Sequence, residues 1–299
     1  YDRYDADLNS RSEWESMFER GFDLLGLKLE DTSEPFEGAC TAVHPLLVES
    51  AVKFQSKAIS ELFPPSGPVK SQVLGTSNFQ KDQQAQRVQE FMNYQLTEQM
   101  PEYFDEFERM LFHLPLIGSA FKKVYYDASL ERPVAEFVPI DQFYVSYYAS
   151  DLRKADRYTH VIYRSPVDLM KEIDAGMYKD IDLPEAYVPE QSSMATKLDT
   201  VLGISQASDS DYQYVLLEQH CYLELPQDPE HEEGVSLPYI VTIEEQSKQI
   251  LSIRRNYKKD DKNQEKVSHF VHYRFVPGFS FYGFGLMHFL GNLTMTATA

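Results

Sequence analysis

The sequence predicts an α+β protein, mainly helical up to Gly118 and mainly built of strands after it. Three observations carry that reading. Apolar residues recur at helical spacing early in the chain, as in Leu47, Val48, Ala51, Val52, Ala58, Ile59 and Leu62. Past Gly118 the period changes to β-branched and aromatic runs broken by Pro, Asp and Ser. Pro and Gly then punctuate the segments where each pattern stops, as at Pro64-Pro65-Ser66-Gly67-Pro68.

Taken in order, residues 11–27 place Trp14, Phe18 and Leu25 near helical spacing, with Gly21 weakening the middle. A polar, turn-prone connection leads to a second helix from Pro45 to Phe63, with Pro45 suited to its first position. "VKSQVLG" has the composition of a short strand. From Asp82 to about Leu116 a helical stripe runs through Val88, Phe91, Met92, Leu96, Phe104, Phe107, Met110 and Leu111, and core packing is its simplest explanation. Pro101 should break it in two.

"SAFKKVYYD", "PVAEFVPI", "QFYVSYY" and "RYTHVIYRS" read as strands. "SPVDLMKEIDAGMYKD" returns to helix, with Ser165 as N-cap, Pro166 at the first position and Asp168 in the first turn. Residues 181–211 read as a loose connector. After it, "YQYVLLEQHCYLEL", "VSLPYIVTIEEQSKQILSIRRNY" and "KVSHFVHYRFVP" suggest a separate antiparallel meander. The chain closes on a turn running into an amphipathic helix.

Composition bounds the function. A 299-residue chain can bury a sizeable core, and no apolar run is long enough to span a bilayer as a helix. Cys40 and Cys221, far apart, suggest free thiols rather than a disulfide framework. A net charge of −19 argues against a protein that grips nucleic acid over its whole surface, because phosphate binding needs Lys and Arg.

Charge is nevertheless segregated near the end. Asp228, Glu230, Glu232, Glu233, Glu244 and Glu245 precede Lys248, Arg254, Arg255, Lys258, Lys259, Lys262, Lys266 and Arg274, with Asp260, Asp261 and Glu265 interspersed. A hairpin with an acidic flank and a basic tip is either a docking surface or a solvated loop.

A search for catalytic constellations returns nothing specific. There is no phosphate-binding Gly-Lys-Ser/Thr loop, and "GFG" at Gly283–Gly285 lacks the third glycine of a dinucleotide fingerprint, so tight-turn chemistry explains it better. His269 and His272, three apart in a strand, fall on opposite faces, and His220 beside Cys221 does likewise. No paired Cys-x-x-Cys exists. Glu136 and Asp141 flank the strand region, which leaves a metal-dependent nuclease as an alternative of a different class. The expectation is no enzymatic activity, no metal and no cofactor.

The order of segments carries a resemblance. "ERGFDLLGLKLEDTSEPFEGACTAVHPLLVESAVKFQSKAISELFPPSGPVK", then "NYQLTEQMPEYFDEFERMLFHLPLIGSAFKKVYYD", then "VAEFVPIDQFYVSYYASDL" resembles the N-terminal half of portal proteins of short-tailed bacteriophages. "FYGFGLMHFLGNL" is similar to that family's turn into the helix leaving its tail-proximal module. The likeness runs from about Glu19 to Leu293 and rests on the series rather than on any one motif.

That resemblance implies a ring of about twelve subunits around a DNA channel at one capsid vertex of a virion. Residues 1–163 would be the wing, 164–182 the first stem helix, 183–276 the clip and 277–299 the turn into a second stem helix. The chain would then be partial, lacking the rest of that stem and the crown and barrel parts. Implied partners are other copies of the chain, the major capsid protein, the terminase packaging motor, tail adaptors and double-stranded DNA in transit, with no membrane. Arg254, Arg255, Lys258 and Lys259 would meet an acidic patch on the motor or adaptor in the first place, or else touch exiting DNA, and aromatics such as Tyr147, Tyr148, Tyr214 and Tyr222 would serve either subunit contacts or internal packing. Another head-to-tail adaptor or tail protein is the nearest alternative.

Overall fold

A computed structural model describes residues 1–25, 27, 44–128, 130–202, 212–225 and 235–298. Among them the fold is α+β, with eight α-helices and two antiparallel sheets. Cys40, Asp228, Glu230, Glu232, Glu233 and residues 203–211 of the connector lie outside the described residues.

The chain opens with α1 (Asp2–Ser10), a helix that the polar N-terminal sequence did not suggest. Tertiary partners hold it. Asp7 receives two hydrogen bonds from Arg157, at 2.8 and 2.9 Å, and Tyr4 meets Tyr144 edge to face. Arg11, fully buried where α1 gives way to α2 (Ser12–Asp23), donates through Nη1 to the carbonyls of Ile140 and Phe143 and lies over the Tyr144 ring. Trp14, Phe18 and Phe22 on α2 enter the main core.

α3 (Leu46–Leu62) buries Leu47 and Ala51 and ends just ahead of Pro64-Pro65, as the proline pair requires. "VKSQVLG" is not a strand. Side-chain amides take its backbone groups instead: Val69 N donates to Asn93 Oδ1 and Ser71 N to Gln89 Oε1, so the segment lies extended along α4 (Phe79–Tyr94). A π-helical turn over Gln95–Gln99 and Pro101 then separate α4 from α5 (Glu102–Ile117), where the break was expected. α5 packs on α3 and on the first sheet through Phe107, Met110, Leu111 and Leu114.

The first sheet has the order β2-β1-β8, with β1 at Ser119–Asp127, β2 at Arg132–Val138 and β8 at Phe270–Arg274. The second has the order β3-β4-β5-β6-β7, with β3 at Phe143–Val145, β4 at Arg157–Arg164, β5 at Tyr214–Leu223, β6 at Leu237–Glu244 and β7 at Ile250–Arg255. The late strands therefore share their sheets with earlier ones. β5 pairs along its length with β4, His160 opposite Glu218, and β8 joins β1 rather than the meander. Burial on both faces favours this continuous sheet: Leu216 and Leu217 are both buried on consecutive positions of β5.

Two further differences concern helices. Expected over 164–182, α6 occupies only Pro166–Asp174, about 13 Å of helix, and ends ahead of Gly176 at φ +73°. Its start matches expectation: Ser165 Oγ accepts from Asp168 N and donates to Asp168 Oδ2. The connector, read as irregular, contains α7 (Ser193–Leu202), which packs Met194 and Val201 into the main core beside α2.

"GFG" serves close approach more than a left-handed turn. A side chain on Gly283 would strike the carbonyl of Gly118, and one on Gly285 the carbonyl of Leu116. Gly118 itself sits at φ +99° as the C-cap of α5. This backbone-on-backbone contact seats α8 (Leu286–Thr298) against α3 and α5.

Candidate functional site

The basic residues singled out from sequence sit where β7 ends. Arg254 pairs across from Ile240 and Arg255 from Tyr239, so alternation sends the two side chains to opposite faces of the sheet. Lys258 and Lys259 are exposed in the turn that follows. The expected acidic flank and basic tip are arranged differently. Glu244 and Glu245 lie at the 245–249 turn, the other end of the β6–β7 hairpin from Arg254. Glu244 is fully buried and organises that turn, accepting from Gln246 N, Ser247 N and Ser247 Oγ. Lys266 is also withdrawn from the surface, its Nζ donating to the carbonyls of Leu152 and Ala155.

β7 is the last strand of its sheet. Beside it runs an open groove of about 620 Å³ between Ile250–Arg254 and Gly176–Lys179. Leu251 and Tyr178 are buried there, while Ile250, Ile253 and Met177 are each nearly half exposed. Lys179 N donates to Leu251 O, a single backbone link between the two walls. The lining carries two cations, Lys179 and Arg254, and no carboxylate. Sequence reading found Arg254 through the charge run; it missed Lys179, which comes to the site only through the turn after α6.

A buried polar cluster lies between the two sheets. Lys123 on β1 meets Glu218 on β5 at 2.9 Å, and His220 Nε2 lies 3.1 Å from the same carboxylate. Asn256 Nδ2 lies 3.4 Å from His220 Nδ1, an arrangement that suits a ring donating from Nε2 to Glu218. Burial would raise the Glu218 carboxyl, yet Lys123 and the His220 hydrogen bond together hold it well below the usual carboxylate range. Burial pushes His160 down to about 3, with Lys123 adding to the effect, and lowers His220 and His269 as well. The carboxylate, lysine and imidazoles together tie β1 of the first sheet to β5 of the second.

Glu136 and Asp141 do not converge. Glu136 stands opposite Lys123 in the β1–β2 ladder, whereas Asp141 lies in the turn that Arg11 anchors. Among the described residues no group of three or more His, Cys, Asp or Glu side chains is placed to hold a metal ion. Cys221 is buried as a free thiol, and burial raises its pKa. No described helix is long and apolar enough to cross a membrane.

One expectation is overturned outright. The stripe on α4 is not core: no residue of that helix is buried. Val88, Phe91 and Met92 are between 42% and 57% exposed, and Phe79 and Tyr94 are also open. The inward positions Ala85, Gln89 and Asn93 instead receive the 69–71 segment. Val88, Phe91 and Met92 thus form an exposed apolar row on a chain of net charge −19. Of the surplus tyrosines, Tyr147 packs on the main core and Tyr214 donates to Pro184 O, while Tyr148 is 88% exposed and Tyr222 is partly so.

No family model matches the chain, and no curated protein matches it either.

Proposed function

We propose that the chain is a subunit of a portal-like ring, a head-to-tail connector through which viral DNA is packaged and released. The observation that carries a self-assembling role is the apolar row Val88, Phe91 and Met92 on α4, which the chain leaves uncovered. The resemblance of the segment series to short-tailed phage portals supplies the specific reading. In it, residues 1–163 form the wing, 164–182 the first stem segment, 183–276 the clip and 277–299 the start of the second stem segment. The five-stranded sheet joins wing and clip strands, and α6 is a short stem element.

The charge suits a conduit. Each phosphate neutralised by a fixed cation adds affinity, which would turn a passage into a clamp. A chain of net charge −19 offers few such wells. A closed ring requires a heterologous contact, one patch on one copy against a different patch on the next. The protein on this account is not an enzyme; hydrolysis of ATP belongs to the packaging motor. Its partners are the capsid shell, motor and adaptors, its place is the capsid vertex, and Arg254, Arg255, Lys258 and Lys259 face the motor or adaptor.

Sedimentation velocity of the purified protein over a hundredfold concentration range tests the assembly. A discrete species of about twelve chains is expected. Monomers throughout, or a magnesium-dependent cleavage of duplex DNA, would contradict it.

A further inference from the structure

We infer that the groove along β7 binds an extended acidic peptide segment of another protein, which adds to the five-stranded sheet as its sixth strand.

The argument starts from the backbone. Among the described residues β7 is the sheet's last strand, so its outward edge faces no further described strand. Asn256 N donates to Pro238 O, which turns Asn256 toward β6; alternation then turns Arg254 and Ser252 the same way and leaves the backbone groups of Ile253 facing out. Toward the N-terminal end of β7 the edge is met by the Lys179 N to Leu251 O bond, and the rest of the groove stays open. Strand addition supplies affinity through such main-chain bonds and specificity through alternate side chains.

The lining then selects the occupant. Met177, Ile250 and Ile253 offer half-exposed apolar surface, which suits alternate apolar side chains of an extended chain. Lys179 and Arg254 are the charged groups of the described lining. Asp174 and Asp180 flank the 176–179 turn in sequence but are not part of the lining. A local excess of cations on a protein of net charge −19 favours a peptide whose other alternate positions are acidic. The half-exposed apolar surface of Met177, Ile250 and Ile253 beside an unpaired strand edge fits this better than a nucleic acid strand. The inference does not depend on ring formation.

The test uses the full-length protein and a fluorescein-labelled ten-residue peptide alternating valine with glutamate, read by fluorescence anisotropy. Saturable binding is expected, weakened at least about tenfold by Lys179→Glu combined with Arg254→Glu. N-methylation of every second peptide amide should abolish it, and so should lysine in place of the glutamates. Ile253→Pro, which deletes one outward N–H on an edge strand where proline is tolerated, should reduce binding with the thermal unfolding midpoint unchanged. No saturable binding, equal binding of the N-methylated peptide, or tighter binding of a ten-nucleotide single-stranded DNA would each overturn the proposal.

Discussion

The Lys123 ammonium reaches both oxygens of the Glu218 carboxylate, at 2.9 and 3.1 Å, and so pins the three-stranded sheet to the five-stranded one. Both side chains are nearly closed to solvent. Removing one partner leaves the other charge buried, which typically costs about 3–5 kcal/mol. Glu218→Gln and Lys123→Met should each show a loss of that order in urea unfolding. The double replacement Lys123→Met with Glu218→Leu should lose less than either single change. Additive losses would mean that the pair does not act as a unit.

His272 stacks on Phe121 and Phe281, and burial, reinforced by Arg274, holds its imidazole down to about 3. In the unfolded chain the ring takes up a proton near 6.5. Between those values the unfolded state binds more protons, so this contribution to stability is complete above about pH 6.5 and declines as pH falls toward 3. The slope is at most about 1.4 kcal/mol per pH unit. His113, lowered to about 4, and His160, lowered to about 3, act in the same direction. Unfolding free energies at pH 7.5 and 5.0 should fall less for His272→Gln than for the parent protein; equal losses would show that His272 takes no part.

Gly118 carries a third prediction. Its φ of +99° disfavours any side chain, and a Cβ there would come within 2.5 Å of Gly283 O and Gly285 N. Backbone strain alone costs about 1–3 kcal/mol, and the clash is with main chain that cannot swing aside. Gly118→Ala should lower the unfolding midpoint sharply, whereas Gly75→Ala, at φ +84° with nothing near, should show the conformational cost alone. Similar losses at the two sites would refute the close-approach account of Gly283 and Gly285.

Exposed Phe91 and Met92 make the contrary case, in which a change should leave the fold alone. Replacing both with aspartate removes apolar surface that touches solvent, so monomer stability should move by no more than about 0.5 kcal/mol per site. Assembly should fail. Intact oligomers in this variant, seen by light scattering, would place the subunit contact elsewhere.

Local chemistry was legible where it acts through neighbours in sequence. The Ser165-Pro166-Asp168 start, the break at Pro101 and the period change after Gly118 all follow from capping, missing N–H groups and side-chain alternation. What escaped depends on distant partners. α1 is held by Asp7 with Arg157 and by Arg11 reaching Ile140 and Phe143, none of which leaves a periodic trace. The 69–71 segment has the residues of a strand, but Asn93 and Gln89 satisfy backbone groups that a neighbouring strand would have taken. The α4 stripe reads as core because periodicity reports an apolar face and not what covers it. Of the site, Arg254, Arg255, Lys258 and Lys259 were visible as a charge run, while the edge position of β7 and the arrival of Lys179 depend on sheet order.

The central claim is ring assembly, and electron microscopy of the full-length protein, with rotational symmetry classified from end-on views in negative stain, addresses it most directly. Closed rings with a central hole and about twelve-fold symmetry are the predicted result. Monomers or small closed dimers under every salt condition tried would contradict it.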